Sequence, residues 1–274
     1  MKIFTYPASG RQFLSAACVL MAVLVALPAQ ALDLFTLWRQ PEVPLNLKAG
    51  AWVDYRTQVM AAGRREQGLL RVVCLRATAD QVVLELLPLE EKREGVLTPV
   101  PGQGARVTLD GSVRKRQGSL LAAVQAVRQW QDGQARDISP RELRDDPLVS
   151  TSFVSDFQPT TVESRQTTTR VVAGRQFSCR QWVMASADTQ SAVMPAGRMR
   201  QISSREVAAA VHEDIPFLGL AYASERVRAS ASLDPPNPQV PLPPNRHRVE
   251  IMELVGFGWD AKPTLGHGDS GGSD

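Results

Sequence analysis

Apolar and polar residues alternate over many short stretches of the chain, which predicts a β-rich fold. The clearest stretch is 51–60 (AWVDYRTQVM), whose apolar face is Val53, Tyr55, Thr57 and Val59. A period of two is typical of a half-buried strand. Further strands are predicted at 69–76, 81–89, 105–109, 113–116, 160–172, 176–185, 193–202, 206–212, 221–232 and 247–256. Short turns such as Asp110-Gly111 separate many of them, which favours antiparallel pairing.

The period changes in the middle of the chain, where a helix is predicted. Within 119–130 (SLLAAVQAVRQW), Leu120, Ala123, Val124 and Val127 fall at helical spacing and Ser119 is a suitable cap. A second helical turn is predicted at 137–146, before Pro147. The order is strands, helix, strands, which indicates a mainly β (α+β) fold with one or two helices on one face of a curved antiparallel sheet or half-open β-barrel. A β-sandwich would have the same strand count.

The first 31 residues have the three parts of a secretory signal peptide. Lys2 and Arg11 precede an apolar run at 13–27, and residues 28–31 (PAQA) place small residues before a cut after Ala31. The apolar run is short for a membrane span; the alternative is an uncleaved anchor. Cys18 lies inside the run, whereas a lipid-modified cysteine should follow it. The sequence therefore predicts export to the periplasm of a Gram-negative bacterium.

The predicted mature chain is a single β-rich periplasmic domain at 32–265, followed by a disordered Gly/Ser/Asp-rich tail at 266–274. An exposed proline-rich loop is predicted at 234–245 (DPPNPQVPLPPN). Without Lys2 and Arg11 the net charge of +3 falls to +1. No nucleic-acid partner is expected at so small a charge, and no later segment is apolar enough to make the cleaved protein an integral membrane protein.

Two cysteines, Cys74 and Cys179, remain after the predicted cleavage. In an oxidising compartment such a pair can form a disulfide. The alternative is two buried thiols that never meet, and the sequence leaves the two open because it does not give their spacing.

Few residues suggest catalysis, and neither a cofactor nor a metal is predicted. No histidine has a partner at metal-ligand spacing. The segment 212–214 groups His212 with Glu213 and Asp214, and it is the one candidate for proton transfer or a weak metal site; a polar strand end is the alternative. The tail sequence 268–272 (GDSGG) is similar to the segment around a trypsin-like nucleophile, but it leaves no room for a following strand and pocket.

Aromatic residues on or beside the predicted strands are candidates for an apolar binding cavity on the concave face of the sheet. They are Trp52, Tyr55, Trp182, Phe217 and Trp259, with Phe257 beside them. Ordinary core packing is the alternative, and the sequence does not separate the two.

Four segments resemble phrases shared by exported bacterial proteins with the LolA/LolB lipoprotein-carrier fold. They are 49–56 (AGAWVDYR), 173–179 (AGRQFSC), 214–220 (DIPFLGL) and 253–258 (ELVGFG). The resemblance implies a half-open antiparallel β-barrel, helices closing its mouth, an apolar cavity for acyl chains and no catalytic residues. The chain departs from that pattern in its short middle helix and its proline-rich loop.

Together these observations predict a non-catalytic periplasmic binding protein for a lipid or another molecule that bears an acyl chain, such as a lipoprotein. The alternative is a cell-envelope interaction or scaffold protein that docks onto a partner protein through its sheet edge or its proline-rich loop.

Overall fold

The structure of the protein is a computed structural model that describes residues 34–61, 63–92, 95–117, 120, 122–145, 161–195 and 197–265. The predicted signal peptide and tail lie outside these residues. The α-helices are α1 (Leu34–Arg39) and α2 (Pro140–Asp145). The strands are β1 (Trp52–Ala61), β2 (Arg64–Ala77), β3 (Gln81–Glu91), β4 (Leu97–Pro99), β5 (Gly104–Asp110), β6 (Val124–Gln131), β7 (Gln134–Ile138), β8 (Thr161–Val172), β9 (Arg175–Met194), β10 (Gly197–Val211), β11 (Leu220–Asp234) and β12 (Arg246–Gly258).

The strands form one antiparallel sheet in the order β7-β6-β5-β3-β2-β1-β12-β11-β10-β9-β8, with β4 beside β3. Its two outer strands, β7 and β8, are not paired with each other, so the sheet is open. The sheet curls, because β8 also contacts β11 and β12. The predicted curved antiparallel sheet is therefore confirmed, and a single continuous sheet excludes the β-sandwich.

One face of the sheet carries the main hydrophobic core. In β1 this face is the predicted one, since Val53, Tyr55, Thr57 and Val59 are all buried. Both helices add to the same core, through Leu37 of α1 and Leu143 of α2. Neither described helix is long and apolar enough to cross a lipid bilayer.

The opposite face holds a smaller cluster of Val73, Leu87, Trp130 and Leu265. Leu265 belongs to the segment after β12, which Glu85 fixes to the sheet. Glu85 is fully buried, and its carboxylate accepts hydrogen bonds from the Thr264 and Leu265 amides (2.9 and 3.3 Å) and from the Arg106 guanidinium (2.6 Å). A buried carboxylate needs such partners. We call 259–265 the C-terminal strap.

Asp54 lies on the polar side of β1 and is nevertheless buried. Its two carboxylate oxygens accept from Nε and Nη2 of Arg71 at 2.6 and 2.7 Å. The Arg71 guanidinium lies 4.8 Å from the centre of the Trp52 ring. Two charge-assisted hydrogen bonds compensate for the burial of the carboxylate.

The helix predicted over 119–130 is wrong. Val124–Gln131 is strand β6, and the segment before it is made of turns where the structure describes it. Val127 is opposite Val107 of β5 and Ile138 of β7, so β6 is hydrogen-bonded on both sides. Tertiary pairing has overridden a local helical preference, as it often does. The second predicted helix is confirmed as α2.

Two predicted strands also differ from the structure. Residues 113–116 do not pair back on β5, because Gly111–Lys115 is a 3₁₀ helix whose first turn is capped by the Asp110 side chain accepting from the Ser112 amide at 2.8 Å. The predicted strand at 193–202 is divided between β9 and β10, with Pro195 between them. Proline lacks the N–H that a ladder needs.

Candidate functional site

The five aromatic residues predicted to line one cavity lie in different parts of the fold. Tyr55 and Trp182 are buried in the main core, and the Tyr55 hydroxyl donates to the Leu220 carbonyl at 3.2 Å. Phe217 packs half-buried against the same core. Trp52 packs against the cluster on the opposite face, where its indole N–H donates to Asp260 at 3.1 Å. Trp259 is 41% exposed.

Trp259 lines an open cleft of about 470 Å³, which we call the polar cleft. Several segments distant in sequence meet there. Asn46 and Lys48 come from the segment before β1, Arg175 from the start of β9, Glu213 and Asp214 from the turn after β10, and Phe257 and Trp259 from the end of β12 and the residue after it. Its volume is within the range of small-molecule sites.

Asn46 fixes one wall of the polar cleft. Its backbone exchanges two hydrogen bonds with Phe217 (2.7 and 3.0 Å). Its side-chain amide donates to the carbonyls of Ile215 (3.0 Å) and Glu213. The turn that carries Glu213 and Asp214 is thereby attached to the segment that carries Lys48.

Gly50 fixes another wall, because the chain before β1 passes directly against the chain after β12. Gly50 has φ +84°, and a Cβ on it would lie 2.6 Å from the Trp259 carbonyl oxygen. Its own carbonyl accepts from the Ala261 amide at 2.9 Å. Only glycine permits this approach without strain, and the approach brings Lys48 beside Trp259.

Both cations of the polar cleft rest against aromatic rings. The Lys48 Nζ lies 5.3 Å from the centre of the Trp259 ring. The Arg175 guanidinium lies 5.2 Å from the ring of Phe177 and 5.7 Å from that of Phe257. Arg175 follows the Ala173-Gly174 turn, whose two residues have φ +47° and +76°. Cation–π contacts of this kind hold a charge in place while leaving it accessible.

Of the candidate group, Glu213 and Asp214 line the polar cleft, and His212 precedes them in the chain. The His212 Nδ1 accepts from the Asp214 amide at 3.2 Å, and its ring packs edge-on against Phe177 with centroids 5.2 Å apart. This geometry is that of a polar turn at a strand end. Among the described residues no group of three or more histidine, cysteine or acidic side chains is placed to bind a metal.

The polar cleft keeps its opposite charges apart. Lys48 and Arg175 form no ion pair with Glu213 or Asp214 within the part of the chain that the structure describes, although all four line the same cleft. The cleft thus presents two cations, two carboxylates and two aromatic rings to solvent.

A second open cleft of about 400 Å³ lies where the end of β8 contacts β11 and β12. Arg170 and Glu253 are its charged residues. The Arg170 guanidinium lies 4.0 Å from the centre of the Tyr222 ring, and its Nε is buried with no hydrogen-bond partner among the described residues. Ala173 lines this second cleft, and Arg175, two residues later, lines the polar cleft.

Cys74 and Cys179 are both buried and are free thiols in the structure. Cys74 lies on β2 and Cys179 on β9, with four strands between them in the sheet order. Burial raises the pKa of the Cys74 thiol to about 11 and raises that of Cys179 as well. Thiols with such pKa values are poor nucleophiles at neutral pH.

Lys48 and Arg175 are the site residues that sequence reasoning missed. Each stands beside a glycine turn, at Gly50 and at Gly174, and those turns were the available signal. An isolated basic residue at a turn gives no indication of which other segment it will face.

Comparisons by sequence found no matching family model and no curated relative. Similar solved structures include a LolA superfamily protein from Nitrosomonas europaea, which is 8% identical, covers 85% of this chain and 95% of its own, and has a TM-score of 0.25. A protein from Bacteroides fragilis with a YmcC-like fold, described as exported, is 7% identical over 79% of this chain and 99% of its own, also at a TM-score of 0.25.

A third similar structure is the MucA/MucB complex of Pseudomonas aeruginosa, in which the matched chain is 9% identical, covers 84% of this chain and 97% of its own, and has a TM-score of 0.23. These neighbours include the LolA-like fold that the sequence resembles.

Proposed function

We propose that this protein is a non-catalytic periplasmic binding protein for a lipid or another molecule that bears an acyl chain, and that the polar cleft receives the polar end of that ligand. One observation carries the proposal. Two cations, Lys48 on the exposed Trp259 ring and Arg175 on the half-buried Phe257 ring, converge from distant parts of the chain around an open cleft of about 470 Å³.

The composition of the cleft suits an amphipathic ligand. Trp259 and Phe257 offer apolar surface, while Lys48 and Arg175 offer charge. Binding sites commonly combine apolar walls with a few placed polar groups. The apolar run at 13–27 and the cleavage pattern at 28–31 support a periplasmic location.

The two cations provide the test. In the protein lacking residues 1–31, Lys48→Ala with Arg175→Ala should weaken the binding of a short-chain phospholipid with a fluorescent acyl chain by about tenfold or more, since two charged contacts are lost. The matched control is Lys92→Ala with Arg198→Ala, because both of these side chains are exposed and neither lines the cleft. Equal affinity of both double variants would contradict the proposed site.

A second candidate function is docking onto another envelope protein. The proline-rich loop predicted at 234–245 begins one residue later, because Asp234 ends β11; residues 235–245 are irregular and largely exposed, and Leu242 is 37% exposed. The Val240 amide donates to the Asn237 carbonyl at 3.2 Å, which closes a turn before Pro241. An extended proline segment after a fixed turn suits an aromatic groove on a partner.

A further inference from the structure

The charges of the polar cleft are of both signs, which bears on the class of ligand that fits it. Lys48 and Arg175 would attract an anionic group, and Glu213 and Asp214 would repel it. A purely cationic ligand would be attracted by the two carboxylates and repelled by Lys48 and Arg175. A ligand with charge of only one sign is therefore attracted by one pair of side chains and repelled by the other.

The cleft holds both pairs of charges with no ion pair between them among the residues that the structure describes. Each cation lies against an aromatic ring, and Asn46 fixes the backbone of the turn that bears both carboxylates. Because both signs of charge line one cleft without pairing, the cleft suits a group that carries one charge of each sign.

Resting on the proposed function, we infer that the cleft selects a zwitterionic head group, with an ammonium near Glu213 and Asp214 and a phosphate near Lys48 and Arg175. Phosphoethanolamine is a group of this kind. It occurs both as a soluble molecule and as a phospholipid head group, and the inference commits to the phospholipid. The carboxylates then act by excluding anionic lipids as well as by binding the ammonium, since specificity often depends on a repulsive element.

The test compares two short-chain lipids that differ only in the head group. In titration calorimetry of the protein lacking residues 1–31, dihexanoyl phosphatidylethanolamine should bind about tenfold or more tightly than dihexanoyl phosphatidylglycerol. Glu213→Gln with Asp214→Asn should remove this preference by weakening the first lipid and strengthening the second. Glu90→Gln with Asp188→Asn, which changes exposed acids outside the cleft, should leave the preference unchanged.

The outcomes separate this inference from the proposed function. Equal binding of both lipids, or an unchanged preference in the Glu213/Asp214 variant, overturns the zwitterion inference but leaves a lipid-binding protein. Binding of neither lipid overturns both. If soluble phosphoethanolamine binds as tightly as the lipid, the ligand is a soluble molecule. That result overturns the inference that the head group comes from a phospholipid.

Discussion

Two glutamates show how charged side chains are accommodated inside this β-rich protein. Glu225 and Glu250 are opposite each other on β11 and β12, on the same face as the core residues Ala223 and Met252. Both carboxylates are buried. Arg205 contacts Glu225, and the Arg248 Nη2 lies 2.7 Å from a Glu250 oxygen. Two carboxylates buried side by side disfavour double ionisation.

Glu250 should make stability depend on pH. Burial and the nearby Glu225 raise its pKa from 4.5 to about 7 against the opposing effect of Arg248. A raised folded-state pKa contributes stability that is fully present below pH 4.5 and is lost as pH rises through 7. Between those two pH values the wild type should lose on the order of 2–3 kcal/mol of unfolding free energy through this group. Glu250→Gln, which cannot ionise, should not show that loss.

Urea unfolding of the wild type and of Glu250→Gln at pH 4.5, 6 and 8 measures this effect, with Glu253→Gln as the control on an exposed position of the same strand. The free energy of unfolding of Glu250→Gln should fall less with pH than that of the wild type. Parallel curves for the two proteins would show that Glu250 titrates normally.

The sequence predicted the burial of single residues correctly where the alternation of apolar and polar residues determines it. The prediction failed where a partner distant in sequence determines whether a side chain is buried. Val53, Tyr55, Thr57 and Val59 are buried as their spacing requires. Asp54 lies on the opposite, polar side of the same strand and is nevertheless buried, because Arg71 on β2 pairs with it. Its partner is 17 positions away, and no local pattern indicates the pairing.

At the scale of elements, the C-terminal strap depends on one side chain. Glu85 joins Arg106 on β5 to Thr264 and Leu265 of the strap. Glu85→Ala should lower the free energy of unfolding by about 2–4 kcal/mol, because it leaves strap amides and a guanidinium without their acceptor. It should also release the strap before the sheet unfolds.

Hydrogen–deuterium exchange at 261–265 reports that release directly. Exchange there should accelerate strongly in Glu85→Ala and stay unchanged in Glu90→Ala, which alters an exposed position of the same strand. Unchanged exchange in Glu85→Ala would mean that the apolar contacts of Leu265 hold the strap without the carboxylate.

β6 shows why some elements were not predictable. The residues of 119–130 include Ser, Leu, Ala, Gln and Arg, most of which favour helices, and their apolar spacing fits a helix. In the sheet, Val124 and Val127 are both buried although they are three apart, because the β5–β6 register shifts between Thr108 and Leu109. A bulge of this kind mimics a helical period, and only the strand partner reveals it.

At the scale of the molecule, the sheet was predictable from the sequence and the polar cleft was not. Short strands with turns between them implied an antiparallel sheet, and the observed sheet is antiparallel throughout. The polar cleft depends instead on a curled sheet that brings 46–48, Arg175, 213–214 and 257–259 together. Such convergence depends on curvature, which strand patterns do not encode.

Native mass spectrometry of the protein purified from periplasm, before and after organic extraction, tests most directly the proposal that the protein carries a lipid or another acyl-chain-bearing ligand outside the cytoplasm. We predict a protein beginning at Leu32 with an added mass in the lipid range that disappears on extraction, and that is reduced in the Lys48→Ala/Arg175→Ala variant. A mass equal to that of the chain alone, even after incubation with membrane lipids, would contradict the account and favour docking onto a protein partner.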